Sequence, residues 1–318
     1  MKTILRSIAP SALWNVLSNL KKYVRQYPFR YAEKRGWNIT RKSDFYSPLP
    51  NLDDLRKNEK RWNKPSTLAG VKIDLAELKN FWAELTQKYS KEYELLPSYE
   101  EVKKLGFGVG YTKVDARTSY YMLRHIKPKK YIEVGSGIST HYCTLAVEEN
   151  KKTGHDTAIQ CIEPYPYDKL YSINNIKVIK DEVQNVDLSV FQQLEENDVL
   201  FIDSSHAGKI DSDVNYEILD ILPNLKKGVY VHIHDIPFPY NFPYPANLYI
   251  YNREWPQYWN EPAMVQAFLA FNDTFKIIQS TSYIRFHDEQ FIKDTIPEYS
   301  SEVSFANGLG SLWLQKVK

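Results

Sequence analysis

Lys130-Tyr131-Ile132-Glu133-Val134-Gly135-Ser136-Gly137-Ile138-Ser139-Thr140 is the stretch that decides the fold of this chain. A short apolar strand runs into an acid, then a Gly-x-Gly turn, then the start of a helix. Glycine accepts the turn's dihedrals and leaves no side chain between the backbone and a ligand. Ser139 or Thr140 can cap the helix that follows. A Gly-x-Gly turn alone is a weak signal. Here two further apolar strands end on acids, Cys161-Ile162-Glu163 and Phe201-Ile202-Asp203. Three successive strand ends carrying carboxylates are hard to explain by packing.

Outward from this stretch the pattern alternates. A helix is expected over residues 115–125, closed by Lys127-Pro128, and a strand over 131–134 with a helix at 140–149. Strands follow at 158–162 and 176–179, a helix at 188–194, a strand at 199–202, a helix at 213–222 and a strand at 229–233. A long loop leads to a helix at 261–271, and strands at 275–279 and 311–315 close the domain. Strands and helices alternating at these lengths predict an α/β fold with a doubly wound, mostly parallel sheet. Ligands of such sheets bind beyond the carboxyl ends of the strands. Glu133, Gly135, Glu163, Asp203 and Asp235 all fall there. Residues 106–318 read as this domain and residues 1–105 as a helical N-terminal extension.

The extension has three parts. In residues 1–30, Ile4, Leu5, Ile8, Leu13, Trp14, Val16, Leu17 and Leu20 recur at helical spacing, with Pro10 as a break. Two roles stay open for this basic, amphipathic segment. It can lie on an anionic membrane surface, or it can pack on the main domain or on a second copy in a homo-oligomer. Residues 38–66 read as irregular around a charged helix at 53–62, with Asp53 as its cap. Residues 74–91 form a helix with Leu75, Leu78, Phe81, Trp82 and Leu85 on one face.

Composition narrows the classes. At 318 residues the chain can bury a full α/β core and carry extra elements. A net charge of +2 argues for neither nucleic acid nor an acidic partner. The charge is unevenly spread. Up to Lys42, a run of lysines and arginines faces a single acid, Glu33, so the remainder is net acidic. The two cysteines, Cys143 and Cys161, make neither a disulfide framework nor a zinc spacing. A reducing, cytoplasmic location is expected, with no apolar run long enough to cross a bilayer and no clean signal-peptide pattern.

The strand-end acids carry chemistry. A carboxylate at Glu163 can accept both hydroxyls of a ribose, in nicotinamide enzymes and elsewhere. Glu133, directly before the glycine turn, suits a cationic ligand and would repel a pyrophosphate. Ser139-Thr140 stands where the dinucleotide fingerprint has its third glycine.

Glu-Val-Gly-Ser-Gly, Ile-Glu-Pro-Tyr-Pro, Phe-Ile-Asp-Ser-Ser-His and His-Ile-His-Asp-Ile, in this order and spacing, resemble the class I S-adenosylmethionine-dependent methyltransferases. More narrowly they resemble the bacterial branch labelled methyltransferase family 24, over about residues 106–318. Phe45-Tyr46-Ser47-Pro48-Leu49-Pro50 and Tyr258-Trp259-Asn260-Glu261 are similar to that branch as well. The resemblance implies a seven-stranded sheet with one antiparallel strand. It implies a cofactor, S-adenosylmethionine, whose methionine part meets Glu133, Gly135, Ser136, Gly137 and Thr140, whose ribose is held by Glu163, and whose adenine lies near Asp181 to Gln184. Asp203 is expected at the cofactor as well.

A second constellation joins Asp203, His206, His232, His234 and Asp235, because neighbouring strands bring their ends together. A histidine one turn after Asp203 can take a proton from an acceptor hydroxyl, a task suited to a group that titrates near neutrality. His206 is the first choice as base and His234 the second, with Asp203 orienting. Asp203 and Asp235 are hard oxygen ligands suited to Mg²⁺. Metal-dependent sugar O-methyltransferases are similar here, but His234 before Asp235 and Ile236 after it depart from their pattern. His234 in place of an oxygen ligand suits Mn²⁺ or Fe²⁺. His232, inside the strand, is expected to be a hydrogen-bonded core histidine. The aromatic, proline-rich loop 236–260 is expected to act as a lid over a sugar, glycan or natural-product acceptor, or else to form a buried cluster or an oligomer contact.

The reading is an S-adenosylmethionine-dependent O-methyltransferase. Two other classes remain open at this level: a metal-dependent hydroxylase or oxidoreductase using His206, His234 and Asp235, and a non-catalytic glycan- or membrane-docking module.

Overall fold

The computed structural model describes residues 11–42, 44–108 and 110–318. The chain forms two compact units, residues 1–62 and 63–318. In the first, helix α1 spans Ser11–Glu33. Ile4, Leu5, Ile8 and Pro10 lie outside the described residues. The charged segment after it is two short helices, Leu52–Lys57 and Glu59–Trp62. The cap of the first is Asn51, whose side chain accepts from the Asp53 amide, and not Asp53 as expected. Asn51 is the residue that keeps extended dihedrals, so its side chain can reach back to the first turn.

The second unit is built on a seven-stranded sheet of order β3-β2-β1-β4-β5-β7-β6. The strands are β1 (Lys130–Val134), β2 (Ala158–Ile162), β3 (Ile176–Ile179), β4 (Val199–Ile202), β5 (Tyr230–Ile233), β6 (Phe275–Ser280) and β7 (Leu312–Lys316). The first five are parallel, and β7 runs antiparallel to both β5 and β6. The expected fold is therefore present, and β7 is the antiparallel strand. Central β4 is buried along its whole length, as expected of Val-Leu-Phe-Ile between two covering layers.

The main helices of this unit are α2 (Leu75–Tyr93), α3 (Lys113–Ile126), α4 (Ile138–Lys151) and α5 (Glu261–Leu269). Trp82 of α2 stacks on Tyr121 of α3 at 5.4 Å between ring centres. Arg124 of α3 reaches Asn150 of α4. Thr112 caps α3, and Lys127 ends it in the left-handed region at φ 54°. Two helices the sequence reading did not assign, Thr281–His287 and Glu289–Thr295, follow β6. The first is capped by Ser280, the last residue of that strand. The segment 236–260 is less irregular than expected. It carries cis bonds before Pro239 and Pro245, a buried Phe238 and a single π-turn at Asn247–Tyr251. No described helix is long and apolar enough to cross a membrane.

Candidate active site

The glycine turn after β1 is tied to its neighbours on both sides. The Gly135 amide donates to the Ile162 carbonyl at 3.0 Å, and Gly135 has φ 79°. A Cβ there would lie 2.0 Å from the Asp203 carbonyl oxygen, so only glycine fits between β1 and β4. Glu163 spans the turn from β2. Its carboxylate accepts the Ser136 amide at 3.1 Å and the Tyr165 amide at 2.8 Å. Thr140 hydroxyl accepts the Gly137 amide at 3.1 Å, closing the entry to α4.

Above these strand ends lies a cavity of about 470 Å³, lined among others by Gly135, Glu163, Val183, Gln184, Asp203 and Ser204. Ser136 Oγ and Gln184 Oε1 are buried without a partner, polar atoms left for a ligand. Asp181 accepts the Glu182 amide and the Asn185 side chain, both at 2.8 Å. Glu133 lies deeper than the sequence suggests. It is fully buried, bonded to the Ser139 hydroxyl and contacted by the Cys161 thiol at 3.7 Å. Burial pushes its pKa up to about 8, against the hydrogen bonds from Ser139 and Thr140.

The ends of β4 and β5 converge as expected, and they bring Asp203, His206, His234 and Asp235 together. His206 and Asp235 both adopt left-handed backbone, at φ 59° and 56°, a costly conformation that clusters at functional sites. His206 is buried, not a surface loop histidine. Its Nδ1 is 2.7 Å from Glu261, and its Nε2 is 3.4 Å from Asp203 and 3.5 Å from Asp235. The start of α5 is what places Glu261. The amides of Asn260 and Glu261 both donate to the His206 carbonyl, at 3.1 and 3.3 Å, and the Asn260 side chain bonds the backbone of Gly208.

His234 has both nitrogens engaged. Nδ1 is 3.2 Å from Asp203 and Nε2 is 3.2 Å from Asp115. Asp115, in the first turn of α3, also accepts the amides of Gly310 and Ser311 and the hydroxyls of Ser311 and Thr112. The sequence reading placed His234 among the metal donors. Its Nδ1, 3.2 Å from Asp203, is 3.8 Å from Asp235, and Nε2 of His206 faces the same two acids, with one donor atom each from Asp203, His206 and Asp235 within 4.8 Å of one another. His232 is fully buried, 3.1 Å from the Ser311 hydroxyl and stacked on Trp313.

The charges in this cluster act on each other strongly. Burial works against a charged His206, yet Asp203, Glu261 and Asp235 hold its pKa well above the usual histidine value. Burial likewise opposes charge on His234, and Asp203, Asp235 and Asp115 outweigh it. Burial raises Asp235 against the pull of both imidazoles, and raises Glu261 against the pull of His206. Asp203 is half-buried, and both imidazoles lower it below the carboxylate range.

A second cavity, of about 260 Å³, opens from Asp235. Segment 236–260 supplies much of its wall, including Tyr240, Tyr244, Tyr249 and Trp259. Trp259 packs on the His206 ring at 4.5 Å and on Tyr249 at 5.2 Å. Asp203 faces the first cavity and Asp235 the second, so the acid–histidine cluster stands between the two.

Residues 132–236, from β1 past β5, match the family model described as a methyltransferase domain. The chain belongs to the class I S-adenosylmethionine-dependent methyltransferases. An uncharacterized protein of Archaeoglobus fulgidus is 33% identical to this methyltransferase over 166 residues, 48% of this chain and 72% of that one. Among solved structures, the chain is similar to the S-adenosylhomocysteine-bound methyltransferase PaMTH1 of Podospora anserina. That match has 16% identity, covers 86% of this chain and 99% of the other, and has a TM-score of 0.39. An O-methyltransferase of Bacillus cereus in complex with S-adenosylhomocysteine is 13% identical, covering 76% and 100%, with a TM-score of 0.39. S-adenosylmethionine, the donor that this class implies, is suited by the narrow glycine turn and its unpartnered polar atoms.

Two residues of the cluster, Asp115 and Glu261, escaped the sequence reading. In the sequence Asp115 reads only as a helix start. Glu261 stood in a stretch noted for its resemblance, and its aspect as a buried acid had no local signal.

Proposed function

We infer that this methyltransferase acts on a hydroxyl oxygen of a sugar, glycan or natural-product acceptor. The observation that carries the reading is the position of Asp203, His206 and Asp235 between a cofactor-sized cavity and an aromatic-walled one. S-adenosylmethionine supplies a methyl group on a sulfonium, open to in-line attack by oxygen. Glu163 takes the ribose hydroxyls. The backbone of Gly135, Ser136 and Gly137 passes the methionine part, with Thr140 closing the turn and Glu133 supporting it from below. Residues 181–184 border the adenine. Asp235 holds the acceptor hydroxyl and the aromatic wall holds its ring, so placement contributes much of the acceleration. His206 is the proton acceptor through Nε2, and Glu261 fixes its tautomer from Nδ1.

The same donors fit a divalent ion such as Mg²⁺ or Mn²⁺. Asp203 and Asp235 would offer oxygen and His206 its Nε2 nitrogen, in place of its role as base, and the buried Glu261 behind Nδ1 is the partner that metal-bound histidines usually have. An ion there lowers the pKa of a hydroxyl. It would also offset the carboxylates around His206, which without an ion confine its action as a base to pH values above a raised imidazole pKa. Calorimetry with S-adenosylhomocysteine, run with and without Mn²⁺ and Mg²⁺, tests both parts. No heat of binding in any buffer would defeat the methyl-transfer reading. Binding that ignores the metals, with turnover unchanged by chelator, would remove the ion and leave His206 as base. In that case His206→Ala must lose activity.

A membrane-surface role is supported by α1. Leu13, Val16, Leu17, Leu20, Tyr23, Val24, Tyr27 and Tyr31 recur at helical spacing, and each is about half exposed or more. Lys21, Lys22 and Arg30 share the helix with a single acid, Glu33. An exposed apolar stripe flanked by cations suits the surface of an anionic bilayer.

A further inference from the structure

The aromatic cavity is electrically lopsided. One part of its lining holds Asp235, beside Asp203 and His206. Another holds Arg285, from the helix Thr281–His287, and the lining also includes Glu289 and Glu302. Three phenols of the same lining, Tyr240, Tyr249 and Tyr299, lie within reach of the Arg285 charge. Tyr299 donates in turn to Glu289 at 2.7 Å, and Glu289 is 3.3 Å from Lys293. Among the described residues, no carboxylate pairs with the Arg285 guanidinium. The side chain is half-buried.

A guanidinium in this setting has lost part of its hydration and gained no ion pair. It presents five donors in a planar fork that matches carboxylate and phosphate oxygens. Most proteins neutralise a half-buried arginine with an acid of their own. Here the nearby acid, Glu289, is turned to Tyr299 and Lys293 instead. The hydroxyls of Ser300 and Ser304 line the same cavity and can add donors to an anion.

We propose that the acceptor is a small hydroxylated ring bearing a carboxylate or phosphate, and that Arg285 pairs with this anion while the reacting hydroxyl lies at Asp235. The assignment rests on the methyl-transfer reading above. It divides the cavity into an acidic end that engages the hydroxyl, aromatic walls that hold the ring, and a cationic site that selects the substituent. Neutral rings of the same shape would leave Arg285 unpaired and would bind less tightly.

The test is calorimetry on the full chain saturated with S-adenosylhomocysteine, titrated with glucuronate, glucose 6-phosphate and glucose. At least one anionic sugar should bind about 10- to 100-fold tighter than glucose, as expected for charge-assisted hydrogen bonds. Which of the two wins separates a carboxylate from a phosphate. Arg285→Gln should remove the preference and Arg285→Lys should keep part of it, with the affinity for S-adenosylhomocysteine equal in all three proteins. The proposal is overturned if neither anion binds, if glucose binds as well as both, or if Arg285→Gln keeps the preference. Failure of the wild type to bind S-adenosylhomocysteine would instead sink the methyl-transfer reading itself.

Discussion

Replacing Glu133 by glutamine turns the buried acid under the glycine turn into a measurable pH effect. Burial raises the Glu133 pKa from 4.5 to about 8. The folded protein therefore keeps a proton that the unfolded chain releases near pH 4.5. Between those two values the folded state binds more protons than the unfolded one, so stability falls as the pH rises through the window and levels off above it. At about 1.4 kcal/mol per pH unit, the full interval corresponds to about 5 kcal/mol, of which about 2 kcal/mol falls between pH 6 and pH 8. Glutamine keeps the volume and an oxygen for the Ser139 hydroxyl but cannot ionise. Urea unfolding of both proteins at pH 6, 7 and 8 reads the difference. Wild-type stability should drop by about 2 kcal/mol more than that of Glu133→Gln across this range, leaving the variant the more stable protein at pH 8. Parallel curves would refute the reasoning, because they would mean that Glu133 is ionised in the folded state at little cost.

Gly135→Ala should abolish S-adenosylhomocysteine binding in calorimetry, since its Cβ would meet the Asp203 carbonyl at 2.0 Å and force β1 from β4; unaltered affinity would mean that the turn opens freely. Glu261→Gln should lower turnover about 10- to 100-fold and move the pH–rate profile to lower pH, because His206 loses a carboxylate that raises its pKa. A profile that stays in place would show that Glu261 serves packing alone. Leu17→Glu with Leu20→Glu should release the chain from phosphatidylglycerol vesicles in a sedimentation assay, whereas wild type should bind these and ignore phosphatidylcholine. Equal binding by both proteins would rule out α1 as the membrane contact.

The sequence by itself determined the alternation of strands and helices, and with it the sheet. Strand periodicity, Val-Leu-Phe-Ile in β4, the Lys127-Pro128 end of α3 and the glycine turn are local signals, written within a few residues of the structure they specify. They also located Glu163, Asp203, His206 and Asp235 at strand ends. The tertiary structure decided which groups face each other. Asp115 meets His234 across 119 residues of sequence, and Glu261 meets His206 across 55. Such pairs form only when the sheet closes and α5 docks on the loop after β4, and no periodicity or turn residue announces them. The same cause sank Glu133 below the turn, set Nε2 of His206 beside Nδ1 of His234 in front of the acid pair, and, among the described residues, left Arg285 without an acid of its own. A side chain's neighbours are set by how distant segments pack, which the order of residues along one segment does not encode.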